Sequence, residues 1–226
     1  MPAGKITSLH VQARDAQRIN VFVDGVFAIG VSLDTVVREG LHVGQVLAQE
    51  DFERLEQAEH SDQAIRSALR LIELRPRSVA ELRDRLRRKE FRPEAIDHAV
   101  ERLAQLGLVD DAAFARFWVE QRQRSRPKGP AALRNELRQK GIAPETITMV
   151  LGDEELTGVP SAQALSVARK VAGRYLSAPD YATFSRRLGG FLQRRGFDFG
   201  TIRPVLEQLW AERGEAAAPD DDFDDQ

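Results

Sequence analysis

The chain has no cysteine among its 226 residues. That excludes a disulfide framework and thiolate metal sites, and it fits a reducing cytoplasm. No apolar run approaches the roughly 20 residues needed to span a bilayer. Met1-Pro2-Ala3-Gly4-Lys5 lacks the apolar stretch of a secretory signal. A cytoplasmic protein without a membrane segment is expected. Histidine is scarce: His10, His42, His60 and His98. No two of them sit at helical metal-ligand spacing and no His-Glu-x-x-His occurs, so a structural or solvent-facing role is read for each. No metal and no cofactor is expected.

Catalytic motifs are missing as well. Gly25 to Ser32 has the spacing of a phosphate-binding loop, but Val31 stands where the phosphate-binding lysine belongs. Its glycines lie in or beside a predicted hairpin rather than at a strand-to-helix turn, so they read as hairpin punctuation. No Gly-x-Ser-x-Gly elbow is present. The acidic pair Asp110-Asp111 is better explained by helix capping than by acid–base chemistry. A binding protein is expected, not an enzyme.

What the chain does have is charge that its formal net value of −2 conceals. Residues 66–92 hold ten basic against four acidic side chains, and residues 116–140 hold eight against two. Residues 212–226 hold one against seven. A basic middle and an acidic end point to an anionic partner, either a phosphate backbone or an acidic protein surface.

Pattern divides the chain into five expected segments. Residues 1–60 open with Val21 to Ile29, where Asp24-Gly25 separates two β-branched and aromatic runs, a hairpin signal. Lys5 to Gln12 can add a third strand. Ser32 starts a short helix that Gly40 ends, and Gln49 to Glu59 is helical. From Ser61 the period becomes helical: Ile65, Ala68, Leu69 and Ile72 share one face. Ser78-Val79-Ala80-Glu81 is a capping-box pattern, Pro93 suits the first turn of a helix, and Gly107 can end it.

This three-helix unit recurs. Residues 75–96 align with residues 126–147 without a gap, and about half the positions are identical. Leu82 matches Leu133, Leu86 matches Leu137, Arg87 matches Arg138, Lys89 matches Lys140 and Pro93 matches Pro144. A weaker third copy places Leu188, Leu192, Arg195, Gly196 and Phe197 at Leu82, Leu86, Lys89, Glu90 and Phe91. The first helices of the copies are expected at 64–74, 112–124 and 162–176. The architecture is therefore mainly α: a small N-terminal β-hairpin region, then tandem three-helix repeats in three copies at 61–109, 110–155 and 160–212. An acidic tail at 213–226 is expected to stay disordered. Two uses are open for it: solubility, or folding back onto the basic helices.

Cations concentrate on the second helix of each copy. Arg83, Arg87, Arg88 and Lys89 belong to the first. Arg134, Arg138 and Lys140 belong to the second, with Arg126 and Lys128 leading in, and Arg186, Arg187, Arg194 and Arg195 to the third. The leucines fix the buried face, so most of these cations point to solvent. Eleven are taken as partner-contacting: Arg83, Arg87, Arg88, Lys89, Arg126, Lys128, Arg134, Arg138, Lys140, Arg194 and Arg195. A continuous positive stripe is one expectation, and a merely solvated face is the alternative. Phe114, Phe117 and Trp118 are read as core packing rather than base stacking.

The run Leu106 to Phe117, leading to Gly129 through Ile142, resembles the central signature of the RecX regulatory family. That pattern has a glycine-hydrophobic-aspartate turn, a Phe-Ala helix and Glu-Leu-x-x-Lys-Gly. Ser78 to Leu82 and Leu86-x-x-Lys89 match too. The resemblance covers about 60–155 strongly and 160–210 weakly, and the acidic tail lies outside it. It implies a protein that binds RecA and its filament on single-stranded DNA, lodges in the filament groove and lowers strand exchange and ATP hydrolysis; a monomer is expected, though no sequence feature sets the oligomeric state. It leaves open a weak direct contact with DNA. Glu90 departs from the pattern, since glycine is usual after the lysine, and a non-glycine there predicts a turn without positive φ.

Overall fold

In the computed structural model, which describes residues 4–216 with side chains as far as Arg213, Asp24 and Gly25 take φ values of 49° and 80°. That is the left-handed pair a type I′ turn needs. It joins β2 (Asp15–Val23) to β3 (Val26–Ser32), with Val23 opposite Val26. β1 (Gly4–Gln12) pairs antiparallel with β2, as the run from Lys5 to Gln12 predicts. A two-residue strand β4 (Val46–Leu47), too short to show alternation, completes a sheet of order β3-β2-β1-β4. Ser32 caps α1 (Leu33–Arg38) by accepting the Thr35 N–H, and Gly40 follows at φ 61°.

The helical stretches expected at 49–59 and from Ser61 are one helix, α2 (Gln49–Leu74), about 39 Å long at 1.5 Å per residue. The expected division at 60/61 therefore falls inside a helix. Ser61 and Asp62 look like start signals in sequence. In the fold, the Ser61 hydroxyl donates back to the Gln57 carbonyl, as helix-interior serines do. Asp62 accepts from Ser32 Oγ at 2.7 Å and Thr35 Oγ1 at 3.1 Å, tying α1 to α2. One turn earlier, buried Glu59 receives Arg18 from the sheet at 2.8 Å and Arg66 at 3.0 Å. The first half of α2 buries Leu55 with Ile6, Val21, Val31 and Leu47. The second half packs Ala64 and Ala68 against the first repeat.

The chain forms two compact units that divide between Asp110 and Asp111. The first contains the sheet and α2, then α3 (Val79–Arg87) and α4 (Pro93–Gln105). The second holds α5 (Asp111–Ser125), α6 (Pro130–Gln139), α7 (Pro144–Leu151), the four-residue α8 (Glu154–Thr157), α9 (Pro160–Ala172), α10 (Tyr181–Arg194) and α11 (Phe199–Ala216). α8 is too short for a periodic signal, and α9 ends four residues before the expected limit. α11 runs past the expected tail boundary at 213, and the rest of the acidic tail lies outside the described residues.

The leucine register holds in all three copies. Leu82, Leu86, Leu137, Leu188 and Leu192 are fully buried, and Leu133 is nearly so. Each leucine-bearing helix ends in the same left-handed turn. The Phe91 N–H reaches the Leu86 carbonyl and Glu90 the Arg87 carbonyl. Ile142 and Gly141 do the same to Leu137 and Arg138, and Phe197 and Gly196 to Leu192 and Gln193. This pairing of the last carbonyls requires positive φ at the residue before the aromatic or isoleucine. Gly141 sits at 77°, Gly196 at 90°, and Glu90 at 63°. The sequence expectation for Glu90 is thereby corrected: the turn keeps its conformation and the glutamate bears the strain.

Two outcomes follow for stability. Glu90→Gly relieves the left-handed strain, less the added freedom of the unfolded chain, and raises stability by about 0.5–1 kcal/mol. Chemical denaturation checks it, and a lower midpoint contradicts the assignment. Glu59→Ala strands the half-buried Arg18 charge and costs about 2 kcal/mol. A loss within error of zero contradicts the role of that pair.

Candidate functional site

α3, α6 and α10 and the segments that flank them carry the expected contact residues, and burial of their leucines decides where those on the helices go. One position after each first leucine and one after each second leucine face outward on the same side of the helix, four residues apart. In the first repeat these are Arg83 and Arg87. Arg83 is ion-paired with Asp97 of α4, whereas Arg87 is exposed. Arg88 pairs with Asp84 at 3.0 Å on the solvent side. Lys89 Nζ donates to the Ser67 hydroxyl of α2 at 2.9 Å.

In the second repeat the outward pair is Arg134 and Arg138. Thr148 occupies the position of Asp97, so the acidic partner of the first repeat is absent. Among the described residues neither arginine has an ion-pair partner. Arg138 is exposed and Arg134 half-buried. Arg126 is exposed as well. Lys128 is not free: it is ion-paired with Glu136. Lys140 lies 4.6 Å from the Trp118 ring centroid, and the Arg122 guanidinium lies 4.5 Å from it. The indole N–H of Trp118 donates to Glu136 at 2.8 Å, and Arg122 Nε donates to the same carboxylate at 2.7 Å. Trp118 also stacks on buried Phe114. Its ring is a packing element held between cations, as the sequence reading expects.

The third repeat departs from the other two. Alignment of Leu188 with Leu82 puts Gly189 at Arg83 and Gln193 at Arg87. The outward pair of cations is therefore missing. Arg194 is exposed and aligns with Arg88. Arg195, which aligns with Lys89 and Lys140, lies 5.2 Å from the Phe191 centroid and donates to the Pro127 carbonyl. Its own carbonyl accepts the Gly129 N–H at 2.9 Å, and the Gly196 carbonyl accepts the Ala131 N–H at 3.2 Å. Here the second and third repeats are joined backbone to backbone. A Cβ on Gly129 would stand 2.4 Å from the Gly196 carbonyl oxygen, and one on Gly196 would stand 2.4 Å from Ala132 Cβ. Ser78 holds the matching position in the first repeat and caps its own helix, accepting the Glu81 N–H. Gly129 has no side chain for that task, and the neighbouring turn supplies the acceptors.

The eleven expected residues thus fall into two sets. Lys89, Lys140 and Arg195, equivalent across the repeats, fold back on their own unit, and Lys128 serves Glu136. Arg87, Arg126, Arg134, Arg138 and Arg194 keep their charge for solvent, while Arg83 and Arg88 share theirs with an aspartate. Of these, Arg195 reaches across the joint of the second and third repeats, to the Pro127 carbonyl between Arg126 and Lys128. Helical period alone misses the counter-ions, because Asp97 and Glu136 reach these cations only through packing. The glycine at position 189 was legible in the alignment of the third copy.

The Glu136 cluster has a pH signature. Burial is the largest single influence and opposes ionisation, but hydrogen bonds from Lys128, Arg122 and Trp118 together outweigh it. The carboxyl is held below the ordinary glutamate range of about 4.3. A depressed folded-state value means the stabilisation is complete above the unfolded value and is lost as pH falls through the folded one. Glu136→Gln is expected to cost about 2 kcal/mol at pH 7, with the gap to the parent closing below about pH 4. Urea unfolding at several pH values checks this, and a gap independent of pH refutes it.

Comparison with known proteins matches four regions of the chain to models of one family. Residues 4–48 match the RecX N-terminal domain, 64–103 the first RecX three-helix domain, 110–151 the second and 161–206 the third. Regulatory protein RecX of Listeria monocytogenes serotype 4b is 31% identical over 169 residues, which are 74% of this chain and 63% of that protein. The chain thus spans less than two thirds of that relative's length. Regulatory protein RecX of Lacticaseibacillus paracasei is 29% identical over 208 residues, 91% of this chain and 84% of that protein. A crystal structure of regulatory protein RecX superposes with a TM-score of 0.77, covering 90% of this chain and 98% of that one. RecX from Lactobacillus salivarius gives 0.60 over 67% and 97%. Both structures are 23% identical and are similar in fold. No helix among the described residues is long and apolar enough to cross a membrane. With sheet region and all three three-helix domains accounted for in order, the chain belongs to the RecX family of regulatory proteins.

Proposed function

We propose that this chain binds RecA and its filament on single-stranded DNA and restrains strand exchange and ATP hydrolysis, so modulating recombinational repair and the SOS response. The observation that carries the reading is the face of α6. Arg134, half-buried, and Arg138, exposed, stand one turn apart beside the buried Leu133 and Leu137, without an acidic partner among the described residues. An uncompensated arginine pair on a rigid, packed helix suits recognition of carboxylates or phosphates, because the guanidinium fork is planar and always charged. Arg87 and Arg126 extend the cationic surface of their own units. The curated relatives carry the name of a regulatory protein, and the family likeness joins that name to RecA. The chemistry is that of a binding protein: the cations are either exposed or serving the fold, and electrostatic complementarity sets partner choice and association rate.

The double substitution Arg134→Glu and Arg138→Glu tests it. The folded variant is expected to need at least about tenfold more protein to inhibit the RecA ATPase on single-stranded DNA, a loss on the order of 1.4 kcal/mol. Inhibition equal to the parent contradicts the assignment of this face. Tight binding of the parent to naked single strands, falling steeply with salt and leaving the RecA ATPase untouched, replaces the reading with a direct DNA-binding regulator.

A further inference from the structure

The third repeat has a groove where the first two repeats present arginines. It runs between α10 and α11, encloses about 330 Å³, and is lined by Gly189, Gly190, Phe197, Phe199, Ile202 and Leu206, with Arg186 also lining it. Phe199 at the start of α11 is 76% exposed. Glycine inside a helix is a destabilising choice, and packing does not demand it at either position. A Cβ on Gly189 would lie in ordinary contact with Leu206 at 3.4 Å, and one on Gly190 would meet the Arg194 guanidinium at 3.4 Å. Neither glycine has positive φ. The groove is thus open although the fold does not require it.

We propose that this groove is the docking site for the chain's own acidic end, with Phe223 as its anchor. The segment Asp220-Asp221-Asp222-Phe223-Asp224-Asp225 places one aromatic ring among five carboxylates. The groove is the complement: an apolar floor with Arg186 at its side and exposed Arg187 and Arg194 on the same helix. Asp198, which also lines it, is the like charge against the incoming aspartates: its carboxylate accepts from the Thr201 N–H at 2.8 Å and hydroxyl at 3.1 Å and stays ionised, so Arg186, Arg187 and Arg194 must outweigh it. Reach is sufficient. Leu206 and Ile202 lie ten and fourteen residues before Ala216, about 15–21 Å back along α11. Phe223 follows Ala216 by seven residues, an extended span of about 23–25 Å. The tail therefore turns back alongside α11 and seats its ring between Gly189 and Leu206, the part of the groove within reach. Of the two uses left open for the acidic end, this is the second, placed on the one basic helix whose outward arginine positions are vacant.

The test changes the tail, which leaves the folded repeats intact. In the full chain, Phe223→Ala is expected to shift the amide NMR signals of Gly189, Gly190 and Ile202 and to speed their hydrogen exchange by about threefold or more. Phe223→Leu should retain most of the parental signals, and 1 M salt should weaken docking in the parent. Adding a peptide of residues 217–226 to the Phe223→Ala protein should restore the parental shifts. Identical spectra for parent and Phe223→Ala overturn the proposal. So do shifts that grow with protein concentration, which would mean a second copy supplies the tail. These readouts contain no RecA, so their failure leaves the RecA reading standing.

Discussion

Two leucines four residues apart govern each repeat. Burial of Leu82 with Leu86, Leu133 with Leu137, and Leu188 with Leu192 pins the rotation of α3, α6 and α10 about their own axes. Truncating any one of them would open a cavity worth about 2–5 kcal/mol. Once rotation is fixed, the outward residues are fixed with it. The left-handed turn behind each helix then stops the helix at a set length and aims the next aromatic or isoleucine into the core. The turn is strong enough to be kept even where the sequence supplies glutamate in place of glycine, at Glu90 with φ 63°.

On this shared frame the repeats have diverged. The first compensates Arg83 with Asp97. The second has threonine in place of that aspartate, leaves Arg134 and Arg138 without an ion-pair partner among the described residues, and gathers Glu136, Arg122, Lys128 and Trp118 into a cluster. The third gives up the outward arginines for Gly189 and Gln193 and opens an apolar groove. Lys89, Lys140 and Arg195 keep one task, folding back over their own unit, although their partners differ: a hydroxyl, an indole, and a carbonyl with a phenyl ring. A cation kept in position among the repeats thus serves the fold in each of them, whereas Arg134 and Arg138 have no counter-ion among the described residues.

Much of this was legible in the sequence because it rests on period and on turn chemistry. Asp24-Gly25 announced its hairpin, Ser78 its cap, and the leucine spacing its register. What escaped has a common cause. Ser61 and Asp62 carry a helix-start signal, but Asp62 is taken up by Ser32 and Thr35 from α1, so α2 runs through. β4 and α8 are too short to display a period. The pairing of Arg83 with Asp97, and of Lys128 with Glu136, joins residues 14 and 8 apart across a helix turn. The first depends on how α3 and α4 pack and the second on how the segment before α6 folds back along it, and helical period encodes neither. The close approach of Gly129 to Gly196 spans 67 positions, and its trace in sequence is the glycine standing where the first repeat has its capping serine.

The central claim is that the outward face of a leucine-locked second helix meets RecA. The chain has no cysteine, so single cysteines report cleanly. An environment-sensitive probe at the exposed Asn135 of α6, which leaves Arg134 and Arg138 in place, and one at the exposed Glu145 of α7 can be compared with and without RecA filaments on single-stranded DNA. The account predicts that filaments shield position 135 from a collisional quencher and leave position 145 as accessible as before. Equal accessibility at position 135 in both states, or shielding at 145 alone, would contradict it.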